Sequence, residues 1–575
     1  MKSASKKSVW TVSPYGKTER ARRSKKIFNS PDKSSSGLIK VTHDFCATSN
    51  LHGLKRLVSC EPRRRRGQRD RVARTIWGVI FAMSVALCVY MSMLVWTRFV
   101  DSPTFISVET LNYPISNVAF PAVTMCNTNK VYKPNVGKIE KILLMNNIPK
   151  EEIKHFFSNL SSLVMPRKSS PSFRHVFEIL FNNSYDIDTL MTKLAQPCEE
   201  LLQDCSWLGK RYDCGLMFNL IKTKEGVCCA FNYHALTRNL FLETPIMERE
   251  VHVSGSGVDQ SLVAFLSIQS EHYVSPIKPY AATIVMIHDP GVYPEMSVNS
   301  VIVQPNQDVI VKVEPMVVES TNNVRSLPPK QRQCSFNDEH PLKLTSGYNF
   351  ENCVTECRMY KMNELCGCVP FTYPHIEMKD GSSFEVCTLK DSPCLAKYAH
   401  VLNSLQPANV SRFFWGLETE KYIGMQCDCY PACSDRYYSV GVDKAEAPAA
   451  GWSRVTAMAT DVIKGNVNLE DMSNTSKVTV CFKETTFLKY RRDALMTWDA
   501  LFAAFGGILG LCIGGSIISV AELVYYYTIY LFNECTNFNQ KKDEDKNNFE
   551  KLDANLLRNI RRRHNVMAMT HVYEY

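Results

Sequence analysis

Two long apolar runs interrupt an otherwise mixed chain of 575 residues, and every shorter pattern falls into place around them. The first, Thr75–Trp96, holds 22 uncharged residues. At about 1.5 Å per residue it reaches roughly 33 Å, against a hydrocarbon core of about 30 Å. It follows a polar stretch of about 70 residues, so it reads as a retained span and not as a cleavable signal peptide. The second, Trp498–Phe532, is 35 residues long, with Asp499 and Glu522 its only acidic groups. That is about a dozen residues more than a straight span needs, so the segment tilts, breaks or projects from the bilayer. Gly506, Gly510 and Gly514 recur every four residues, with Gly507 and Gly515 as a second small column. Such a stripe is a packing face for helices. Packing in lipid does not account for Ser516 or Glu522, and an ionisable residue inside a span marks function.

Between the runs lie roughly 400 residues. Asn112 to Asn127 (NYPISNVAFPAVTMCN) alternates apolar residues between Pro114 and Pro121, the pattern of an extended strand entering a sheet. Residues 131–245 read as mainly helical, around Lys138–Met145, Glu151–Leu163 and His175–Leu180. From Val251 to Val318 the period turns to two, as in SLVAFLSIQ, AATIVMIHD and VIVKVEPMVV, which predicts strands. Asp435 to Cys481 reads as a polar, less regular return. Strands carrying the middle with helices decorating them give an α+β domain. Ahead of the first run, the Lys/Ser-rich opening of about 40 residues lacks the composition of a core, and Asp44–Val58 is a short amphipathic stretch holding His52-Gly53.

Charge orients this layout. The net charge is +10. Residues 1–75 carry 20 Lys/Arg against 5 Asp/Glu, with Arg63, Arg64, Arg65 and Arg66 just before the first run. A basic block abutting an apolar span is a topology signal that keeps its flank cytosolic; it is not read here as a nucleic-acid site. Of 22 cysteines, 17 lie between the runs, beside four glycosylation sequons at Asn159, Asn182, Asn409 and Asn474. Dense cysteine with acceptor sites describes an oxidised, extracellular domain. The one-residue spacings Cys366-Gly-Cys368 and Cys427-Asp-Cys429 fit zinc poorly, so no metal site is expected.

The cysteines from Cys334 to Cys433 carry the most order. Cys353 and Cys357 share a helix face, and Cys427 and Cys429 share a strand face. One helix is thus stapled to one returning segment. The nested order Cys334–Cys433, Cys353–Cys429, Cys357–Cys427, Cys366–Cys394 and Cys368–Cys387 leaves no rungs crossing. Each bridge adds about 2–4 kcal/mol. Spacing alone is equally consistent with plain stabilisation and with a stiff column that passes force to its base. In the second run, Gly514-Gly515-Ser516 can break the helix and offer carbonyls, and Glu522 returns near the same face seven residues after Gly515. Small, then hydroxylated, then acidic is the lining of a cation path. Two helices cannot enclose one, so an oligomer with cyclic symmetry follows.

Several segments together resemble the degenerin/epithelial sodium channel family, and within it the insect pickpocket subunits. They are His52-Gly53, FPAVTMCN at 120–127, LPPKQRQC at 327–334, NCVTEC at 352–357, CDCYPAC at 427–433 and GGILGLCIGGSIISVAEL at 506–523. The resemblance implies a trimeric channel of two-pass subunits, voltage-independent, sodium-preferring and blocked by amiloride, with a β palm and a disulfide-stapled helical thumb. By position it assigns Gly514, Gly515 and Ser516 to the selectivity filter, Gly507 to amiloride binding and Glu522 to the lower-pore carboxylate. Ala500 falls on the small residue whose enlargement locks degenerins open, and His52-Gly53 on the cytosolic gating motif. It also implies Cys126 paired with Cys228 or Cys229, and Cys198 with Cys205. Seventeen is odd, and Cys481 is assigned as the cysteine left over. Acid-sensing relatives carry an aromatic near the position of Gln331 and histidines where this chain has Trp96-Thr97-Arg98-Phe99, and Ala504 replaces a frequent aspartate. No expectation of proton gating follows.

The expected organisation is a cytosolic N-terminus at 1–74, a first span at 75–97, an extracellular Cys-rich domain at 98–497, a pore-lining span at 498–532 and a cytosolic C-terminus at 533–575. The expected function is a plasma-membrane sodium channel subunit, homo- or heterotrimeric with related subunits, needing no cofactor beyond permeant Na+. The rival is a two-pass receptor or adhesion protein without conductance, which has no use for a Gly/Ser/Glu-lined span. An ATP-gated channel would want a basic ectodomain, and this one is net acidic. No nucleophile motif, metal spacing or nucleotide loop supports an enzyme.

Overall fold

The computed structural model describes residues 42, 45–49, 51–58, 69–236, 250–295, 299–345, 347–375, 383–406, 424–447, 475–529, 532 and 558. It divides into two units, one made of the residues up to Phe99 with those from Trp498, the other of Val100–Thr497. The sequons at Asn409 and Asn474, the Lys/Ser-rich opening and nearly all of 533–575 lie outside the described residues.

Among the described residues of the larger unit, the strands are β1 (Thr104–Pro114), β2 (Ala122–Asn127), β3 (Leu202–Trp207), β4 (Lys210–Tyr212), β5 (Asn219–Thr223), β6 (Gly226–Phe231), β7 (Leu262–Leu266), β8 (Thr283–His288), β9 (Asn299–Val303), β10 (Gln307–Ser320), β11 (Asp435–Glu446), β12 (Ser476–Phe482) and β13 (Thr486–Ala494). One sheet runs β1-β13-β10-β12-β7-β3-β4, with β11 also on β10; the other runs β5-β6-β2-β8-β9. Their inner faces share one core, in which Val309, Val311, Val313, Val478 and Val480 meet Val123, Met125, Phe231, Val285 and Ile287. β10 is the longest strand, and Pro315 in its middle costs no ladder bond. Thr321 N–H points to Arg492 on β13, so by alternation the absent donor of Pro315 faces that same side. There β12 has ended at Val313 and β13 begins only at Val317.

Two helical bodies decorate this sandwich. Lys133–Met145, Lys150–Asn159, Arg174–Asn182 and Ile187–Leu194 enclose a separate core around Leu143, Phe156, Leu160, Val176, Leu180 and Leu190. The expectation that 131–245 is mainly helical holds only to Leu201, because the chain then enters β3–β6, whose residues alternate into the sheet core. The second body is the helix Phe350–Cys366, whose N-cap Asn349 accepts from Glu351 N–H and whose end is Gly367 at φ 74°. It carries the staples Cys353–Cys429, Cys357–Cys427 and Cys366–Cys394, flanked by Cys334–Cys433 and Cys368–Cys387.

Two sequence readings need correction beyond that. Cys427 and Cys429 stand on a segment outside any strand ladder, tied to the helix by their disulfides. The return from Asp435 is also more regular than expected, since β11 pairs with β10 along twelve residues and β12 enters the sheet centre.

In the other unit, a helix at Arg69–Asp101 contains the first apolar run, and its Val72–Asp101 portion is long and apolar enough to cross a membrane. The second run is broken. Trp498–Ile513 and Ile517–Ile529 pass the same test only as a pair, bent by 75°.

Candidate functional site

The break in the second apolar run is built from backbone chemistry that only glycine allows. Gly514 takes φ +69°, and its N–H donates to Gly510 O at 3.0 Å, the left-handed stop of a helix. Gly515 N–H reaches Leu509 O at 3.2 Å. The last carbonyl of the upper half, Ile513 O, accepts the backbone N–H of His52 at 2.8 Å. The His52 ring also lies against Gly514, where an added Cβ would sit 2.8 Å from three of its atoms. The amphipathic stretch therefore comes to the break as a partner.

That stretch is held by its own contacts. Gly53 turns it at φ +83°, Phe45 meets Tyr526 edge-on at 5.8 Å, and Thr48 Oγ1 donates to Tyr526 Oη at 3.1 Å. Arg56 lies 4.3 Å over the Trp77 ring, an anchor on the first apolar helix. Below the break, Ser516 N–H donates to Ser519 Oγ and Ser519 N–H to Ser516 Oγ, at 3.3 and 3.2 Å, and the two hydroxyls lie 3.2 Å apart. Ser519 is buried; sequence reading passed over it, although its signal was legible as Ser-x-x-Ser just before an apolar run.

The remaining expected positions are spread along the same run. Glu522 stands half-exposed on the lower half. Gly507 has open space where a Cβ would be, and Ala500 is exposed in the first turn of the upper half. The rings of Phe99 and Trp498 meet at 5.1 Å, tilted by 59°, joining the C-terminal end of the first apolar helix to the start of the second run.

In the larger unit, the register that sets Met125 opposite Cys229 puts Cys126 opposite Cys228, and those two are bonded. Alternation turns Cys229 to the other face, where it bonds Cys198. The implied Cys198–Cys205 pair is thus wrong. Cys205 has moved off along β3, and the β3–β4 hairpin, which places Tyr212 opposite it, delivers Cys214 as its partner. Cys481 is free and buried within β12. Of the described sequons, Asn182 is exposed at a helix end, whereas Asn159 is half-buried with its amide donating to His155 O.

A second cluster escaped sequence reading because its members come from four distant segments. Arg436 forks onto Glu250 with two 2.8 Å bonds, and its Nε lies 2.8 Å from Asp289 Oδ2. Asp435 accepts from Asn349, the cap of the stapled helix. Burial pushes the carboxyls of Asp289 and Asp435 up, while the Arg436 hydrogen bonds pull Glu250 down. Asn352, fully buried one turn into that helix, accepts from Tyr293 N–H and donates to Gly291 O. The cluster lines a cavity of about 750 Å³ at the base of the stapled body.

Comparison with known proteins agrees in extent with this layout. The profile of the family described as amiloride-sensitive sodium channel matches residues 45–526. The sodium channel protein Nach of Drosophila melanogaster is 24% identical over 515 residues, covering 86% of this chain and 88% of its own. Pickpocket protein 28 of the same fly is 23% identical over 521 residues, 84% of this chain and 78% of its own. The human bile acid-sensitive ion channel is 22% identical over 529 residues, 91% of each.

Proposed function

The chain belongs to the amiloride-sensitive sodium channel family, and from that membership we propose that it passes sodium through the plasma membrane around its second apolar segment. In this reading the chain crosses twice with both termini cytosolic, the Cys-rich unit faces outward, and three identical or related copies surround the path. The observation that carries it is the break at Gly514-Gly515-Ser516, held by His52. The C-terminal end of the upper half carries about half a negative elementary charge. Gly514 and Gly515 have no side chains to cover their carbonyls, so a cation meets fixed dipoles there. Glu522, six residues below Ser516, adds one carboxylate per copy. Gly507, with space around it, is the position for amiloride, and Ala500 the one where bulk favours opening. The His52–Ile513 bond, worth about 1 kcal/mol net, makes the cytosolic loop part of the balance between conducting and closed states.

β1 and β13, antiparallel neighbours from Thr104↔Ala494 onward, are the strands next in sequence to the two apolar segments. A displacement of this strand pair therefore bears on the residues that lead into both segments. Expression in oocytes, as wild type and as Ala500→Val or Ala500→Phe, tests the proposal. An amiloride-blocked inward current that shrinks when bath sodium is replaced by potassium is expected from the enlarged variants. Surface-labelled protein with no such current in any of the three refutes conduction by the homomer.

A further inference from the structure

We infer that Ser519 is a positioning residue for the break, and that the hydroxyl of Ser516 is engaged in holding the lower half-helix and is not an ion ligand. The inference rests on the proposed conducting role of the Gly514–Ser516 segment and deepens it.

The lower half, Ile517–Ile529, starts with backbone N–H groups that no preceding turn can satisfy. Its neighbours are Ile517, Ile518 and Val520, so in a membrane these donors have little water to turn to. The two serines meet the need reciprocally. Ser519 N–H goes to Ser516 Oγ, Ser516 N–H goes to Ser519 Oγ, and Val520 N–H closes the first helical bond on Ser516 O at 3.2 Å. This is a capping box in which a serine stands where glutamate or glutamine usually serves. The substitution suits the place, because a carboxylate at Ser519 would have to be buried. With Ser519 N–H on its oxygen and the Ser519 hydroxyl 3.2 Å away, Ser516 Oγ could ligate an ion only in competition with the cap, whereas the backbone carbonyls of Gly514 and Gly515 are under no such competition.

A double-mutant cycle separates this from the ligand alternative. If the clasp holds, Ser516→Ala and Ser519→Ala lower the sodium-to-potassium permeability ratio by similar factors, the double variant is no worse than either alone, and Ser519→Thr retains the wild-type ratio. If Ser516 is an ion ligand, Ser516→Ala changes the ratio while Ser519→Ala does not, and the inference is overturned. The currents are recorded in the Ala500→Phe background. Hydrogen exchange on the full-length protein in lipid nanodiscs gives a readout independent of conduction. Peptides spanning 515–521 should exchange about fivefold faster in Ser519→Ala, the effect of losing one helix cap, with Ser519→Thr restoring protection and 501–509 unchanged. Unchanged exchange at 515–521 overturns the clasp whatever the currents do. Faster exchange in a protein that conducts under no condition upholds the clasp and refutes the conducting role.

Discussion

Gly514→Ala gives the sharpest test of how the His52 loop meets the break. At φ +69° an L side chain costs about 1–2 kcal/mol. The new Cβ would also stand 2.8 Å from the His52 ring, forcing the loop away and breaking the His52 N–H to Ile513 O bond, about 1 kcal/mol more. The sum, about 2–3 kcal/mol, is a shift of roughly 30- to 150-fold against the broken conformation. Adding His52→Ala removes the ring but keeps the backbone N–H, so the double variant should recover the second contribution, about fivefold. Two assays read this out. One is amiloride-blocked current per surface-biotinylated channel in the Ala500→Phe background. The other is the yield of a disulfide between Leu51→Cys and Gly515→Cys, positions in contact because a Cβ added at Gly515 would lie 3.8 Å from Leu51 Cδ2. Gly514→Ala should lower both, and His52→Ala should partly restore both. Strictly additive losses, or a cross-link yield that Gly514→Ala leaves untouched, would show that the loop does not lean on the glycine.

Four further outcomes follow from the geometry. Arg436→Met leaves Glu250, Asp289 and Asp435 grouped without their cation, and should cost about 3 kcal/mol, the low end for a broken buried pair because the guanidinium is 30% exposed; thermal unfolding of the purified protein measures it. Asp289 and Asp435 have folded pKa values above their usual 3.8, so the stability they contribute is fully present below 3.8 and is lost as pH rises through the raised values. Glu250, pulled below 4.5, contributes above 4.5 and loses that contribution as pH falls through its lowered value. The wild type and Asp289→Asn should therefore diverge in melting temperature in the variant's favour as pH rises above 3.8, while buried His288, held down to about 4, costs both proteins stability as pH falls below 6.5. Non-reducing peptide mapping should recover Cys198–Cys229 and Cys205–Cys214, and maleimide should label Cys481 only after unfolding, since burial both shields its thiol and raises its pKa. Glu522→Gln should reduce single-channel conductance or sodium preference with surface expression unchanged; a silent effect on both would remove the carboxylate from the path.

Local chemistry explains which features were legible beforehand. The period-two runs of Val251–Val318 became β7 to β10 because apolar alternation has one stable use, a half-buried strand. The five staples around Phe350–Cys366 were readable because an i, i+4 pair and an i, i+2 pair can meet in few ways. The Cys198–Cys205 pair implied by the resemblance fails because a helical turn and β3 lie between the two residues, and Cys198 bonds Cys229 while Cys205 bonds Cys214. Alternation along β6, which sends Cys228 and Cys229 to opposite faces, needs the register of β2 and β6, and no single sequence states it.

The same reasoning separates the two clusters that matter most. Gly514, Gly515 and Ser516 point to a break together, because a packing stripe accounts for glycines four apart but not for two adjacent glycines followed by a serine in hydrocarbon. The partner at the break was less visible, since His52 contributes a backbone N–H that every non-proline residue possesses. What singles it out is the glycine beside it, at φ +83°, which turns the loop so that this N–H faces Ile513 O. Arg436, Glu250, Asp289 and Asp435 had no local signal at all, because a guanidinium surrounded by carboxylates is assembled only by folding. Their position against Asn349 ties the charge of that cluster to the N-terminus of the stapled helix. Any stimulus that tilts the helix must then either stretch the Asn349–Asp435 bond or carry Asp435 with it along β11, which pairs with β10 from Asp435 to Glu446. β10 in turn pairs with β13 at Val317 to Ser320. The hydrogen-bonded route from the helix base thus runs through β11 and β10 to β13, the strand that precedes Trp498 in sequence.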